Sequence, residues 1–411
     1  MADKTRLKDL PLLGRLCIFS EFFYGLCIGA WSIAFSFHLS ANGVDAGRIG
    51  VLLCAGYLFT AVASFFAGHM GDRHGFPRVM AFGALMMGGG LFLLAFSRQL
   101  VLFYVGHGIY CIGSACLMSM EFNLPLSLIR EEHRQYGYNL VLVFYFLGGI
   151  AGNFLCGLCL PLFQDQQNPY RYILIICGIC YFCLALFRGR MPRQNQGALG
   201  GQGTDAADFR MLLSNWKVPS YLLYGFLTFG LLTLSTGLLN MVLRLWHGMP
   251  DTTISLVFSI NSFAGCLVLI LLPSVTRRMA LHHIAATALA AQALAFVGMT
   301  FLPCGPFVGM IFLRTISCNV LYTSVDSPML RSIQPQLRGT YAGMRVFSNY
   351  VGMSAASILS GWLVELRMFQ WLFLICTGVA LAQLLSYSLL SRPFLRGSED
   401  KRFQGKGEAI V

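Results

Sequence analysis

Twelve long apolar stretches follow one another along the 411 residues of this chain. Each comes close to the roughly 20 apolar residues that a helix needs to cross the hydrocarbon core of a bilayer. A chain in lipid must satisfy its own backbone hydrogen bonds, and stretches of this length do so as helices. The predicted spans are residues 16–39, 47–70, 79–97, 99–128, 137–162, 170–188, 218–243, 252–275, 281–302, 305–330, 341–365 and 368–391. The chain is therefore expected to be an all-α, polytopic membrane protein with 12 transmembrane helices.

The charges support this expectation. Charged residues make up 11% of the chain, whereas soluble domains carry about 25%. The net charge of +12 is distributed as a membrane topology requires, so it does not indicate nucleic-acid binding. With the N-terminus in the cytoplasm, 23 of the 29 Lys and Arg fall on the cytoplasmic side, and the other six are Arg48, Arg98, Arg171, Arg244, Arg314 and Arg367. Positive residues stay inside, which predicts cytoplasmic termini. The membrane is expected to be a bacterial inner membrane. The first apolar run is too long for a cleaved signal peptide.

The longest polar interval divides the spans six and six. Residues 189–217 are rich in Gly and Arg and predict a flexible cytoplasmic linker. The expected domains are an N-terminal six-helix bundle at 1–188, a C-terminal six-helix bundle at 218–391 and a short cytoplasmic tail at 392–411.

A weak internal repeat relates the two halves. A shift of 204 residues carries Arg134 onto Arg338 and Gly148 onto Gly352, and a shift of 205 carries Glu121 onto Asp326. Two pseudo-symmetric six-helix bundles around a central binding cavity are a known plan for transporters.

The polar segment between the second and third spans carries a signature, formed by Gly68, Gly71, Asp72, Arg73, Gly75 and Arg78. On these residues the chain resembles the major facilitator superfamily, and the resemblance extends over all twelve spans. The basic residues that usually follow the second glycine are interrupted here by Phe76 and Pro77. The resemblance implies transport by alternating access, with this signature as a charged gating motif. A solvated loop is the structural alternative.

Two further segments are similar to those of exporters in that family. Gly148, Gly152 and Gly157 in span five match the spacing of the antiporter signature, although its proline is Asn153 here. Small residues at this spacing also let helices pack closely. The membrane-embedded arginine of exporters corresponds to His107, which is either a proton carrier or a buried structural histidine.

Ionisable residues inside spans are costly and point to function. Glu21, Glu121 and Asp326 are expected to couple transport to protons, together with His107. All three acids are predicted in the cytoplasmic half, with Glu121 roughly 10–12 Å above the inner end of its helix. For Glu21 and Asp326, the alternative is a side chain that reaches the interface.

Ligand pockets combine aromatic walls with a few polar groups. The residues of this kind expected to bind substrate are Tyr24, Trp31, Tyr145, Asn240, Tyr322, Arg345 and Asn349, with Tyr350 beside them.

These features predict a secondary active transporter. The favoured function is proton-driven antiport that exports a small organic molecule, such as a drug or a siderophore. The alternative within transport is proton-coupled uptake of an organic acid, with Arg345 or Arg314 holding its carboxylate. The alternative from another class is a transporter-like membrane sensor, against which the short tail counts.

An enzyme is not predicted, because no nucleophile motif or phosphate loop is present. Cys177, Cys180 and Cys183 recur every three residues but lack a fourth ligand for a structural metal. No metal and no cofactor are expected, and the protein is expected to act as a monomer in the lipid bilayer.

Overall fold

The computed structural model describes residues 7–121, 124–125, 128–130, 133–163, 167–192, 214–276, 279, 281–334 and 338–391. Within these ranges the helices are α1 (Leu12–Ala41), α2 (Ala46–His74), α3 (Phe76–Phe96), α4 (Leu100–Met120), α5 (Arg134–Cys159), α6 (Tyr170–Gly189), α7 (Lys217–Thr236), α8 (Leu239–Leu245), α9 (Asp251–Thr276), α10 (Leu281–Phe301), α11 (Cys304–Arg331), α12 (Arg338–Glu365) and α13 (Phe369–Leu385). A π-helical turn, Ser386–Ser391, continues α13.

Every predicted span falls on a helix, which confirms the all-α membrane fold. In the described part of the chain, eleven helices are long and apolar enough to cross a membrane, with α7 and α8 counted as one. The more polar α12, which carries Arg345 and Asn349, is not among them.

Two boundaries differ from the prediction. α4 ends at Met120 rather than at residue 128, so Glu121 caps the helix and does not lie one or two turns inside it. Pro125 supplies the physical reason, because a proline ring in a continued helix would clash with the carbonyl four residues earlier, that of Glu121.

The predicted polar turn at 68–78 is mostly helical. α2 continues to His74 and α3 begins at Phe76, so the break is confined to Gly75. Gly75 has φ +88° and ψ 142°, a backbone conformation that is essentially restricted to glycine. Its N–H donates to the carbonyl of Gly71 at 2.9 Å and closes the end of α2.

The chain folds into two compact units. Unit 1 contains Met1–Gly200 and Leu238–Phe263, and unit 2 contains Gly201–Gly237 and Ala264–Val411. The segment Leu238–Phe263, which holds α8 and the first half of α9, thus packs with the N-terminal helices. The domain boundaries at 188 and 218 stay a prediction of the sequence.

Close backbone contacts between α1 and α5 organise unit 1. Gly25 and Gly29 on α1, and Gly148 and Gly152 on α5, each face a backbone carbonyl of the other helix so closely that a Cβ atom would overlap it. Small residues at helix contacts are the usual way for membrane helices to approach each other. The glycine spacing of span five therefore has a packing role.

The same contact recurs in unit 2. A Cβ on Gly148 would overlap the backbone at Phe22, and a Cβ on Gly352 would overlap the backbone at Phe226. Both partners are shifted by 204 residues. The sequence repeat is thus also a repeated packing contact, between α1 and α5 in unit 1 and between α7 and α12 in unit 2.

Candidate coupling site

A buried ion pair joins α1 to α6 in unit 1. Nη2 of Arg188 donates to Oε1 of Glu21 at 2.7 Å, and both side chains are 0% exposed. Nε and Nη2 of Arg188 also lie 3.3 and 3.2 Å from the Ser20 hydroxyl. The guanidinium lies over the ring of Tyr24, 5.9 Å from its centroid, which is within range of a cation–π interaction.

The ion pair leaves polar atoms without partners. In the described residues, Oε2 of Glu21 and Nη1 of Arg188 are buried and make no hydrogen bond. A buried ion pair stabilises a protein well when its geometry is good and its remaining polar atoms are satisfied. A monodentate pair with open atoms on both partners is poorly suited to a purely structural role. Oε2 of Glu21 can accept a proton or bind a water molecule while Oε1 keeps its hydrogen bond to Nη2 of Arg188.

A second carboxylate lies near this pair. Glu121, at the end of α4, is half-buried and interacts electrostatically with both Glu21 and Arg188. Tyr145 on α5 is also half-buried and interacts electrostatically with both carboxylates. Its ring centroid lies 5.6 Å from that of Tyr24. Helices α1, α4, α5 and α6 therefore bring two carboxylates and one guanidinium together. We call Glu21, Arg188 and Glu121 the acidic cluster.

An aromatic path leads away from the acidic cluster. The Tyr24 ring lies 6.3 Å from Tyr181, Tyr181 lies 6.3 Å from Tyr110, and Tyr110 stacks on Trp31 at 5.1 Å. Trp31 is half-buried, and its indole Nε1 has no hydrogen-bond partner in the described residues. The tyrosines at positions 24, 110 and 181 are buried, so Trp31 and Tyr145 are the partly accessible rings of this path.

His107 lies apart from the acidic cluster. It precedes Glu121 by 14 residues on α4, which corresponds to roughly 21 Å along the helix. Its ring is buried, stacks on Phe35 with centroids 4.8 Å apart, and lies where a side chain on Gly56 would be. Nε2 lies 3.5 Å from the thiol of Cys111. This environment is that of a packed histidine, and its role in proton transfer stays a prediction.

Asn240 is occupied by structural contacts. Its side-chain amide on α8 donates to the Ser36 hydroxyl at 2.6 Å and to the carbonyl of Ile33 at 3.1 Å. Its Oδ1 accepts from the backbone N–H of Met241 at 2.9 Å. The side chain is buried and both ends are used, so the structure shows it fastening α8 to α1, and its role in substrate binding stays a prediction.

Further polar contacts hold the same segment to unit 1. Asp251, at the start of α9, accepts a hydrogen bond from the hydroxyl of Tyr170 and lies 3.4 Å from Nε of Arg244. Asn153 on α5 lies where the antiporter signature has proline, and its amide donates to the Ser262 hydroxyl at 3.2 Å. The departure from the signature therefore has a structural use.

The substrate-binding candidates in unit 2 separate into two places. Arg345 and Asn349 lie one turn apart on α12, and both side chains flank Gly225 of α7. Tyr322 on α11 is 55% exposed, with its ring 6.5 Å from Phe229. The side chain of Asp326 lies outside the described residues, so its proposed pairing with Glu121 stays a prediction.

The gating motif is described in part. Gly71 packs against Met120, the last residue of α4, which ties the end of α2 to the helix that carries Glu121. Arg73 and Arg78 are exposed, whereas the side-chain environments at Gly68 and Asp72 lie outside the described part of the chain. Its gating role stays a prediction.

Two buried arginines were assigned to the wrong environment by the sequence. Arg188 is one of the 23 Lys and Arg that the sequence places on the cytoplasmic side, but it lies fully buried near the end of α6. Arg314 is one of the six placed on the other side, but it is 4% exposed within α11. Because neither side chain lies in a loop, the predicted distribution of Lys and Arg becomes 22 on the cytoplasmic side and five on the other side. A signal existed for Arg314, because it was the tenth residue of its predicted span.

Comparison with known proteins agrees with this architecture. The family model described as Major Facilitator Superfamily matches residues 17–357. No curated protein matches the sequence significantly. Among solved structures, the chain is similar to a point mutant of the nucleoside transporter NupG, with 16% identity over 92% of this chain and 99% of that one and a TM-score of 0.79.

Two other solved structures are also similar. One is an inward-facing bacterial homolog of the human lysosomal transporter Spinster, with 12% identity, coverage of 94% of this chain and 97% of that one, and a TM-score of 0.75. The other is the E. coli fucose:proton symporter FucP, with 15% identity, coverage of 90% and 97%, and a TM-score of 0.62. At these identities the likeness concerns the fold.

Proposed function

Because this chain belongs to the Major Facilitator Superfamily, we propose that it is a proton-coupled carrier of a small organic solute and that the acidic cluster carries the proton. One observation supports this assignment most directly. A fully buried and incompletely satisfied ion pair, Glu21–Arg188, lies beside a second carboxylate that is half-buried, Glu121. The family membership establishes a transporter rather than an enzyme, and an integral membrane protein.

The charges of the cluster give the coupling mechanism. Two carboxylates and one guanidinium carry a net charge of −1 when all are ionised, which is costly within a membrane protein. Uptake of one proton neutralises the cluster. Glu121 is the exchanging group, because it is half-buried, whereas Glu21 is fully buried and bonded to Arg188. Since Arg188 interacts with both acids, it can favour one or the other as Glu121 changes its protonation state.

The solute is expected to contain a ring. Trp31 and Tyr145 are the accessible rings of the aromatic path, and aromatic walls with few polar groups are typical of ligand sites. NupG and FucP, to which the fold is similar, are named for a nucleoside and for a sugar. Drugs and secondary metabolites with rings satisfy the same requirement.

Direction and orientation complete the proposal. Export was predicted in part from the glycines of span five, but Gly148 and Gly152 pack against α1 and Gly157 packs against Ser255 on α9. Because this packing explains their spacing, they carry no evidence for export, which stays a prediction. We place both termini in the cytoplasm of a bacterial inner membrane and treat the protein as a monomer. A cysteine introduced at Asn168 should react with an impermeant thiol reagent outside intact cells, whereas one at Gly201 should not. The reverse labelling pattern would invert the topology.

Transport assays in liposomes test the function. Candidate compounds are screened for accumulation driven by a pH gradient and, separately, for exchange of labelled against unlabelled solute. Glu121→Gln should abolish gradient-driven accumulation and retain exchange, because the proton step is removed while the conformational change remains. Glu365→Gln is the matched control, since Glu365 is an exposed acid at the end of α12.

Two outcomes would contradict the proposal. Full gradient-driven accumulation by Glu121→Gln would exclude Glu121 as the proton carrier. Binding of a compound without accumulation or exchange in either direction would favour the membrane-sensor alternative.

A further inference from the structure

A second buried arginine, Arg314, has different surroundings from Arg188. It lies on α11, which begins at Cys304. Ten residues of helix place it roughly 15 Å from that end, which is half of a hydrocarbon core about 30 Å thick. An arginine at this depth is expensive and is retained for function in most membrane proteins.

Within the described residues, the polar contacts of Arg314 are with neutral groups. Nη2 donates to the Thr315 hydroxyl at 2.7 Å and Nη1 approaches the Ser235 hydroxyl at 3.4 Å. Nε is buried and has no hydrogen-bond partner in that part of the chain. Cys318 and Cys376 are the other polar neighbours that interact with the guanidinium electrostatically. In the described residues, no carboxylate lies within ion-pair distance of Arg314, whereas Arg188 has Glu21 at 2.7 Å.

Two hydroxyl groups cannot balance a buried positive charge. Charged groups inside membranes normally pair with an opposite charge or face a water-filled path. The side chain of Arg314 is 4% exposed, so hydration by bulk water does not replace a counter-ion in this conformation. The helices α7, α11 and α13 thus surround a buried cation whose Nε makes no hydrogen bond to the described residues.

We propose that Arg314 binds the anionic group, a carboxylate or a phosphate, of the transported solute. A planar guanidinium with several donors is suited to such oxyanions, and the Thr315 hydroxyl can donate to the same group. This inference rests on the proposed function and specifies its substrate class.

The first test compares the stability of the purified full-length protein without solute. Arg314→Gln removes a buried charge that has no counter-ion, so its thermal midpoint should equal or exceed that of the wild type. Arg48→Gln is the control, because Arg48 is an exposed arginine in a surface ion pair with Asp45. A clear fall in the midpoint of Arg314→Gln, with none in the control, would mean that the charge is satisfied structurally and would overturn the proposal.

The second test uses defined probes. Benzoate and phenyl phosphate should raise the midpoint of the wild type, whereas benzamide, the uncharged counterpart of benzoate, should not. Arg314→Gln should reduce benzoate affinity by roughly 10- to 100-fold, as expected for loss of a charged hydrogen bond. Arg314→Lys should retain part of it, because it keeps the charge without the planar donors.

Three results would overturn the proposal. The first is that neither benzoate nor phenyl phosphate raises the thermal midpoint of the wild type. The second is that benzoate raises the midpoint of Arg314→Gln as much as that of the wild type. The third is that sodium chloride raises the wild-type midpoint as much as benzoate does. The last would identify a resident inorganic anion in place of the solute. Because midpoints are measured without a pH gradient, these failures are distinguishable from failure of proton coupling.

Discussion

Removing one partner of the Glu21–Arg188 pair should destabilise unit 1 more than removing both. Glu21→Gln leaves the guanidinium buried and without its 2.7 Å carboxylate contact. Among the described residues, its remaining hydrogen bonds are the two to Ser20 at 3.2 and 3.3 Å. Breaking a buried ion pair in this way costs about 3–5 kcal/mol. Arg188→Met should cost less, because the isolated Glu21 can neutralise itself by binding a proton.

The double variant, Glu21→Gln with Arg188→Met, should recover most of the lost stability. It leaves no buried charge in the pair, and hydrophobic or neutral replacement of a buried pair is often close to neutral. The coupling energy of the double-mutant cycle should therefore be at least about 2 kcal/mol.

Glu121 provides an internal check on this cycle. If Arg188 can pair with Glu121 when Glu21 is neutral, Glu21→Gln alone will cost less than expected. The full cost should then appear when Glu121→Gln is added. That pattern would reveal exchange of partners within the acidic cluster.

Thermal unfolding in detergent, followed by the reaction of buried cysteines with a fluorescent thiol reagent, can measure these differences. Cys17, Cys27 and Cys177 are buried in unit 1 and should react after unfolding. For soluble domains of 150–250 residues, 1 kcal/mol corresponds to about 2–4 °C, so Glu21→Gln should lower the midpoint by roughly 6–20 °C. Arg48→Gln should change it little, because surface pairs contribute about 0–1 kcal/mol. Equal small losses in both variants, with no coupling, would refute the importance of the buried pair.

Three further changes test local features. Gly75→Ala should cost about 1–3 kcal/mol, because its φ of +88° is strained for alanine, whereas Gly89→Ala in open space should not destabilise; equal midpoints in a thermal scan would contradict this. Asn240→Ala should cost about 1–3 kcal/mol, because it breaks the hydrogen bonds that hold α8 to α1. Burial lowers the pKa of His247, in the segment between α8 and α9, so the unfolded chain binds more protons and stability should fall as pH drops below about 6.5; His247→Gln should flatten that part of the stability–pH curve, and an unchanged curve would exclude His247.

The helices could be predicted because a span in a bilayer must satisfy its backbone hydrogen bonds within itself. Length and hydropathy are local properties, and all twelve predicted spans fall on helices, although α12 is too polar to count among the eleven apolar ones. The ends were harder to predict, because polar residues can remain helical. Residues 68–74 look like a turn in the sequence yet continue α2 to His74. At the end of α4, Pro125 indicates that the helix stops before it. The predicted span nevertheless extends to residue 128, because the residues around Pro125 are apolar.

The candidate site could be predicted in part. Glu21 and Glu121 were identified because a carboxylate inside an apolar span is costly. Their partner was missed, since an arginine at the end of a span is equally consistent with a solvated loop. Glu21 and Arg188 are 167 residues apart, and their pairing depends on how α1 packs against α6. The contacts of Asn240 could not be predicted for the same reason, because its partners on α1 lie far away in sequence.

The most direct test of proton coupling is the movement of protons with the solute. Liposomes containing the wild-type protein and a trapped pH-sensitive dye are given a transported compound with no initial pH gradient. The proposed function predicts an internal pH change that depends on the solute, persists in Glu365→Gln, and disappears in Glu121→Gln while labelled solute still exchanges. Solute transport by the wild type without any pH change, or an undiminished pH change in Glu121→Gln, would contradict the assignment of the acidic cluster as the proton carrier.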